Sequence, residues 1–266
     1  MNKIYLLFAV FVILNTYSYA SEINSEKSSV KDWNTYNIGK IIFEDKAPNS
    51  NGSKIYHQII KDPEVFITKQ ARTVLATLYK SPKDSIPPVN LIHYVLKNTD
   101  VISAKGGEHG NIFIFYSTKY IEKFFSENNK TKFLFETRGV LLHELTHAYQ
   151  LEPQGIGTYF TNRAFFAFIE GMADAVRQAN GGFNDGYKPK GGSYMDGYRT
   201  AGSFFVWLKD HKDPEFLRKF NKSTLEVIPW SFDGAIKFVL GDKYNIDDLW
   251  HEYQINVENK GRRKQL

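Results

Sequence analysis

The segment from residue 141 to residue 150, LLHELTHAYQ, places two histidines four positions apart, with a glutamate directly after the first. On a helix, side chains at positions i and i+4 lie on one face, so His143 and His147 can bind a single metal ion. Glu144 is turned by about 100° from that face and would lie beside the metal, where it can take a proton from a metal-bound water. The pattern predicts zinc hydrolase chemistry, because zinc lowers the pKa of its bound water towards neutrality.

A catalytic zinc ion usually has three protein ligands, so one more ligand must come from elsewhere in the chain. The metzincin pattern would need glycine at position 150 and histidine or aspartate at position 153, where this chain has Gln150 and Pro153. That pattern is therefore excluded. Asp185 and Asp196 are an alternative source of the third ligand, although both lie in glycine-rich surroundings.

The segment FFAFIEGMADAVR, residues 165–177, offers a carboxylate in a better setting. Glu170 and Asp174 are the only acids in this apolar helical stretch, and a carboxylate on such a face needs a partner because burying an unpaired charge is costly. Glu170 would find that partner in the metal, and Asp174 could accept a hydrogen bond from a histidine ligand. An ion pair between Glu170 and Arg177 is the alternative. The spacing of the two acids is typical of a gluzincin site.

The elements that must position these residues follow an α+β order, with strands first and helices after them. Strands are predicted over residues 39–45, 90–98 and 111–117. Helices are predicted over residues 62–80, 118–126, 136–150, 163–179, 194–210, 214–221, 231–240 and 246–257.

The first 20 residues have the order of a secretory signal peptide: Lys3, an apolar run from Ile4 to Leu14, and a polar end at Ala20. A membrane anchor is the alternative, but the apolar run is much shorter than the ~20 residues that span a bilayer. The sequence thus predicts a protein that is secreted or periplasmic, with no membrane span after cleavage.

The rest of the chain is predicted to form one domain. Residues 21–38 are expected to be a flexible lead-in, residues 39–258 the domain, with lobes of about 39–152 and 153–258, and residues 259–266 a basic tail. The 266 residues include no cysteine, so a secreted form must fold without disulfides. The net charge of +5 comes from dispersed basic residues. No nucleic-acid partner is therefore expected, and a monomer is expected.

Several segments together resemble the plant basic secretory protein family, also described as peptidases of plants and bacteria, a family of zincin-type metallopeptidases. The matching segments are IIFEDKAPNSNGSKIY (41–56), NIFIFYSTKYIE (111–122), RGVLLHELTHAYQ (138–150), FIEGMADAVR (168–177), YMDGYRTAGSFFVWL (194–208) and IDDLWHEYQ (246–254). The resemblance implies a zincin-like fold, with a small twisted N-terminal sheet lobe, an active-site helix and a mostly helical C-terminal lobe. It implies one zinc ion per chain, bound by His143, His147 and Glu170, with Glu144 as general base.

Two further parts of the site are predicted. Peptide hydrolysis passes through an oxyanion that needs a donor, and among Tyr194, Tyr198 and Arg199 we favour Tyr198, because it opens a helix that should return past the site. A core tyrosine is the alternative role for Tyr198. Zincins commonly bind an extended peptide along an edge strand. The predicted substrate strand is formed by Asn111, Ile112, Phe113, Ile114 and Phe115.

These observations favour a secreted zinc-dependent peptidase that acts on a peptide or protein. Two alternatives stay open: an extracellular binding protein that keeps zinc for stability only, and a metal-dependent amidase that acts on a non-protein amide such as a cell-wall cross-link.

Overall fold

A computed structural model of the chain describes residues 33–125, 129–184, 189 and 191–263, with the backbone alone for residues 260–263. The predicted signal peptide and residues 21–32 of the predicted lead-in lie outside the described residues. At the end of the predicted lead-in, Trp33 and Ile38 pack on the core. Trp33 is fully buried, and the carbonyl of Ile38 accepts a hydrogen bond of 2.7 Å from the Tyr149 hydroxyl.

A small sheet forms the N-terminal part of the fold. Its strands are β1 (Lys40–Asp45), β2 (Leu91–Lys97), β3 (Ser103–Glu108) and β4 (Asn111–Ser117). Their order across the sheet is β1-β2-β4-β3. β1, β2 and β4 run parallel, while β3 pairs antiparallel with β4. β3 and β4 are joined by a tight turn in which His109 and Gly110 have φ values of 51° and 77°.

β4 is an interior strand, because its backbone is paired with β2 on one side and with β3 on the other. The prediction of an open substrate strand is therefore wrong for all five of its residues, namely Asn111, Ile112, Phe113, Ile114 and Phe115. The two edge strands of the sheet are β1 and β3, and of these β3 lines the cleft that holds the candidate site. β3 was not predicted from the sequence, because SAKGGE contains two glycines and has little preference for a strand.

Helices dominate the remainder, and nine α-helices lie within the described residues. They are α1 (Asn51–Ile59), α2 (Pro63–Leu78), α3 (Thr118–Phe124), α4 (Lys130–Tyr149), α5 (Arg163–Ala179), α6 (Tyr198–His211), α7 (Phe216–Glu226), α8 (Phe232–Leu240) and α9 (Ile246–Arg263). The predicted α+β fold is confirmed, with the sheet near the N-terminus and a mostly helical C-terminal part. No helix in the described part of the chain is long and apolar enough to cross a membrane.

Most helix ends follow from local sequence. Asp62 caps α2 by accepting a hydrogen bond from the backbone N–H of Val65, with Pro63 at the first position as predicted. Asn129 caps α4 in the same way, so this helix begins earlier than the predicted residue 136.

Other helical segments also differ from the prediction. α1 was missed. The helix predicted over 194–210 is broken at Gly197, whose φ of 74° is incompatible with a continuous helix. A 3₁₀ turn, Tyr194–Asp196, precedes the break and α6 follows it. α9 continues to Arg263, into the segment predicted to be a basic tail.

Close helix packing positions the acidic residues of α5. α4 contacts α2, α5 and β3, and α5 packs most extensively against α6. A Cβ atom at Gly171 of α5 would lie 2.6 Å from the Phe205 ring, and one at Gly202 of α6 would lie 2.9 Å from the Cβ of Asp174. Only glycine permits this approach at both positions. The contact fixes the helix that carries Glu170 and Asp174.

Candidate metal centre

The helix α4 brings its two histidines together as the spacing predicts. Their Nε2 atoms lie 3.1 Å apart, with side-chain exposures of 14% for His143 and 12% for His147. The neighbouring leucines, Leu142 and Leu145, are fully buried and anchor the helix in the core. Both imidazole rings therefore occupy defined positions at the edge of the core, with their Nε2 atoms directed to one point.

Glu170 of α5 completes a three-residue group. Its Oε2 atom lies 3.3 Å from Nε2 of His143 and 3.6 Å from Nε2 of His147. Tetrahedral zinc ligands at 2.0–2.1 Å from the ion lie about 3.3 Å from one another. The three distances between donor atoms are close to this value, so the side chains need little movement to bind one ion.

The environment of Glu170 also fits a bound metal. Its Oε2 atom is buried and has no hydrogen-bond partner among the described residues, and a buried oxygen in this state is costly unless an ion or a water occupies the site. Two imidazole nitrogens and one carboxylate oxygen form a donor set that suits zinc. The residues present therefore fit a metal ion, and His143, His147 and Glu170 would hold it.

The structure supports neither the alternative ion pair of Glu170 with Arg177 nor Asp196 as the alternative third ligand. Arg177 pairs with Glu136 at 3.0 Å, not with Glu170. Asp196 accepts a hydrogen bond from the backbone N–H of Ser193 and closes a capping box there. Asp185 lies outside the described residues. Among the described residues, Glu170 is thus the acid whose carboxylate lies at the Nε2 atoms of both histidines.

Asp174 lies one turn after Glu170 and accepts a hydrogen bond of 2.7 Å from Nδ1 of His143. Burial disfavours the charged imidazole, but the hydrogen bond to Asp174 and the neighbouring Glu170 carboxylate outweigh burial and raise the pKa of His143 to about 10. Burial likewise favours the neutral form of Glu170, but the two facing histidines outweigh it and hold the pKa of Glu170 well below its usual range. Without metal, the site is therefore an ion-paired cluster.

Two residues that the sequence analysis did not assign to the site also contact its ligands. The Tyr159 hydroxyl donates a hydrogen bond of 2.7 Å to Oε1 of Glu170. The side-chain amide of Gln150 lies 2.9 Å from Nδ1 of His147. Gln150 could have been found by its spacing, since it caps the helix that carries His147 and follows that histidine by three positions. Tyr159 lies in a loop, where no periodic pattern indicates which side chains turn inward.

The predicted catalytic residues Glu144 and Tyr198 both line the cleft above the site. Glu144 is buried, at 6% exposure. The Tyr198 ring lies parallel to the His143 ring, with centroids 6.1 Å apart and an angle of 9° between the planes. Tyr198 has a φ of 43°, which is uncommon for a residue other than glycine. Burial and the nearby Glu170 carboxylate raise its pKa, so it stays a protonated donor at neutral pH.

The cleft has a volume of about 670 Å³ and extends past the metal site. Residues 102–107, along the open edge of β3, form part of its lining. The loop between α4 and α5 also contributes, and its Phe160 is 92% exposed. An elongated molecule bound in the cleft would therefore contact a strand edge, the candidate metal ligands and an exposed aromatic ring.

A family model described as "Peptidase of plants and bacteria" matches residues 39–253. The chain belongs to this family. The matched range of this peptidase of plants and bacteria includes every strand and the helices α4, α5 and α6, so it covers the whole candidate site. The family predicted from the sequence is confirmed. No curated protein and no solved structure matches the chain significantly.

Proposed function

We propose that this peptidase of plants and bacteria is a secreted zinc-dependent metallopeptidase with a gluzincin-like site. The observation that carries the proposal is the convergence of Nε2 of His143, Nε2 of His147 and the buried Oε2 of Glu170 on one point. The three ligands and Glu144 line one cleft of about 670 Å³, which is the proposed binding place of the peptide. One zinc ion per chain is proposed at this point.

Zinc at this point would polarise the scissile carbonyl group and make a water molecule more acidic. Glu144 is the proposed general base that takes the proton from the water, and it later delivers a proton to the leaving amine. Tyr198 is the proposed donor to the oxyanion, because its hydroxyl stays protonated and its ring lies over that of His143.

The substrate strand is now proposed to be β3. The backbone N–H of Ser117 donates to the carbonyl of Ile102 at 2.9 Å, which sets the alternation of hydrogen bonds between β3 and β4. By this alternation Ala104 and Gly106 direct their backbone groups towards β4, and Lys105 directs its own to the open edge. A peptide in the cleft could therefore pair with β3 through its main chain.

Export by the predicted signal peptide, residues 1–20, completes the proposal. The chain has no cysteine, so no disulfide can hold the metal site in place outside the cell. The proposed ligands are instead held by burial and by hydrogen bonds from neighbouring side chains.

The test is cleavage of a diverse peptide library by the purified protein, before chelation, after removal of metal, and after zinc is added back. We expect cleavage that disappears with the metal and returns with one equivalent of zinc. Cleavage that persists after complete metal removal would contradict the proposal. Stoichiometric zinc with no cleavage of any peptide would instead favour a binding protein that retains the metal, and cleavage of cell-wall amides alone would favour an amidase.

A further inference from the structure

Gln150 follows the last residue of α4 and contacts His147 on the ring nitrogen that does not face the metal site. Its side-chain amide nitrogen is placed 2.9 Å from Nδ1 of His147. The residue is 5% exposed, and its Oε1 atom is buried without a hydrogen-bond partner among the described residues. In this orientation the amide nitrogen contacts the histidine ring and the buried amide oxygen makes no hydrogen bond, which is unfavourable.

The tautomer of His147 decides which amide atom must face it. A neutral imidazole carries one proton, on either Nδ1 or Nε2, and the other nitrogen is an acceptor. Nε2 of His147 lies 3.6 Å from Oε2 of Glu170, at the proposed metal position, and it can bind a metal only through its lone pair. Nδ1 must then carry the proton, and an N–H at this position needs an acceptor. An amide NH₂ group cannot accept.

We propose that Gln150 is a positioning residue: its Oε1 atom accepts a hydrogen bond from Nδ1–H of His147 and so keeps the Nε2 lone pair directed to the metal. The two ends of a glutamine amide have nearly the same shape, and a rotation of 180° about the last side-chain bond exchanges them. This rotation resolves the conflict of donors at Nδ1, and it places the amide nitrogen at the buried position that Oε1 occupied. The proposal rests on the proposed metal site, but not on peptidase activity.

The other histidine ligand shows the same arrangement with a different acceptor. Nδ1 of His143 donates to Oδ1 of Asp174 at 2.7 Å, and a carboxylate can only accept. Each histidine is thus held through Nδ1 by a residue that is not itself a ligand. Gln150 supplies an acceptor without a further negative charge, in a site that already contains the carboxylates of Glu144, Glu170 and Asp174.

Two substitutions test the role of Gln150. Gln150→Leu keeps the approximate volume and removes the acceptor, while Gln150→Glu keeps an acceptor and removes the donor. Gln154→Leu is a matched control, since Gln154 is exposed on the following loop. Zinc affinity is measured by competition with a chromophoric chelator. The tautomer of His147 is measured by long-range ¹H–¹⁵N NMR of the metal-free, ¹⁵N-histidine-labelled chain at alkaline pH.

We expect the unsubstituted chain and Gln150→Glu to show the Nδ1–H tautomer at His147 and to bind zinc with affinities within a few-fold of each other. Gln150→Leu should show the Nε2–H tautomer and bind zinc about 10- to 100-fold more weakly, and Gln154→Leu should change neither. An unchanged tautomer and affinity in Gln150→Leu, or a Gln150→Glu variant as weak as Gln150→Leu, would overturn the proposal. Absence of zinc binding by the unsubstituted chain would overturn it together with the proposed metal site. Zinc binding without peptide cleavage would count against the proposed function alone.

Discussion

Nδ1 of His143 and Oδ1 of Asp174 lie 2.7 Å apart, and the two side chains are only 14% and 8% exposed. The hydrogen bond between them fixes the imidazole ring so that its Nε2 atom points to His147 and Glu170. Asp174 would therefore act on a metal at the proposed position through His143, and its removal should be measurable as a loss of metal affinity.

The first prediction concerns Asp174→Asn, which preserves the shape of the side chain and removes its charge. We expect zinc affinity to fall by about 10- to 100-fold, the usual cost of losing such a partner of a histidine ligand. Asp100→Asn is the control, because Asp100 is an exposed carboxylate that pairs with Lys119. Chelator competition on both variants measures the difference, and equal affinities would show that Asp174 does not support the metal.

The second prediction separates the two tyrosines near the proposed metal position. The Tyr198 hydroxyl is proposed to act only on the oxyanion, so Tyr198→Phe should lower kcat by about 10² to 10³ and leave zinc affinity unchanged. The Tyr159 hydroxyl donates to Oε1 of Glu170, so Tyr159→Phe should weaken zinc binding. Steady-state kinetics and chelator competition on both variants test this assignment. The reverse result, with Tyr198→Phe losing zinc and Tyr159→Phe losing only kcat, would exchange the two roles.

The third prediction concerns pH. The pKa of His143 rises from 6.5 to about 10 on folding, so its contribution to stability is fully present below pH 6.5 and is lost as the pH rises through 10. The pKa of Glu170 is lowered from 4.5, so its contribution is fully present above pH 4.5 and is lost as the pH falls. The metal-free protein should therefore be most stable between pH 4.5 and 6.5.

Bound zinc should stabilise the protein increasingly as the pH rises above 6.5, where the metal-free protein loses stability. The reason is that metal binding requires His143 to lose its proton. The increase in Tm caused by zinc should grow steadily as the pH rises above 6.5. Thermal unfolding of the metal-free and zinc-loaded protein across this range measures both effects. An increase in Tm that is independent of pH would show that the histidine does not exchange a proton for the metal.

The fourth prediction tests the open edge of β3. Lys105→Pro removes a backbone N–H that faces the cleft rather than β4, and an edge strand tolerates proline at such a position. We expect kcat/KM to fall roughly three- to tenfold, which corresponds to one hydrogen bond of about 1 kcal/mol. Lys105→Ala is the control, since it removes the charge and keeps the N–H. If both variants lose activity equally, the side chain and not the strand edge binds the substrate.

The local part of the site could be predicted from sequence because it depends on one helix. The positions of His143, Glu144 and His147 on α4 follow from helix periodicity alone, and the capping of α2 follows from Asp62 and Pro63. The place of Glu170 needed a second argument, the cost of burying a carboxylate in an apolar helix. Arg177, the alternative partner of Glu170, pairs with Glu136 instead.

The remaining features depend on contacts between distant segments. β3 exists because β4 offers it a paired edge, although its own glycines disfavour a strand. Its presence moved the open edge away from residues 111–115. Tyr159 reaches Glu170 from an irregular loop, and the break at Gly197 depends on a positive φ that the neighbouring residues do not specify. Such features are determined by tertiary packing rather than by local preference.

The most direct test of the account is the variant Glu144→Gln, which keeps the size and polarity of the side chain but cannot take a proton from water. We predict that it binds one zinc ion per chain with unchanged affinity and that peptide hydrolysis falls by about 10² to 10⁴, the usual contribution of a general base. Zinc content by elemental analysis and turnover of the best library peptide are measured on the same sample. Undiminished hydrolysis by a fully loaded Glu144→Gln protein would contradict the proposed role of Glu144.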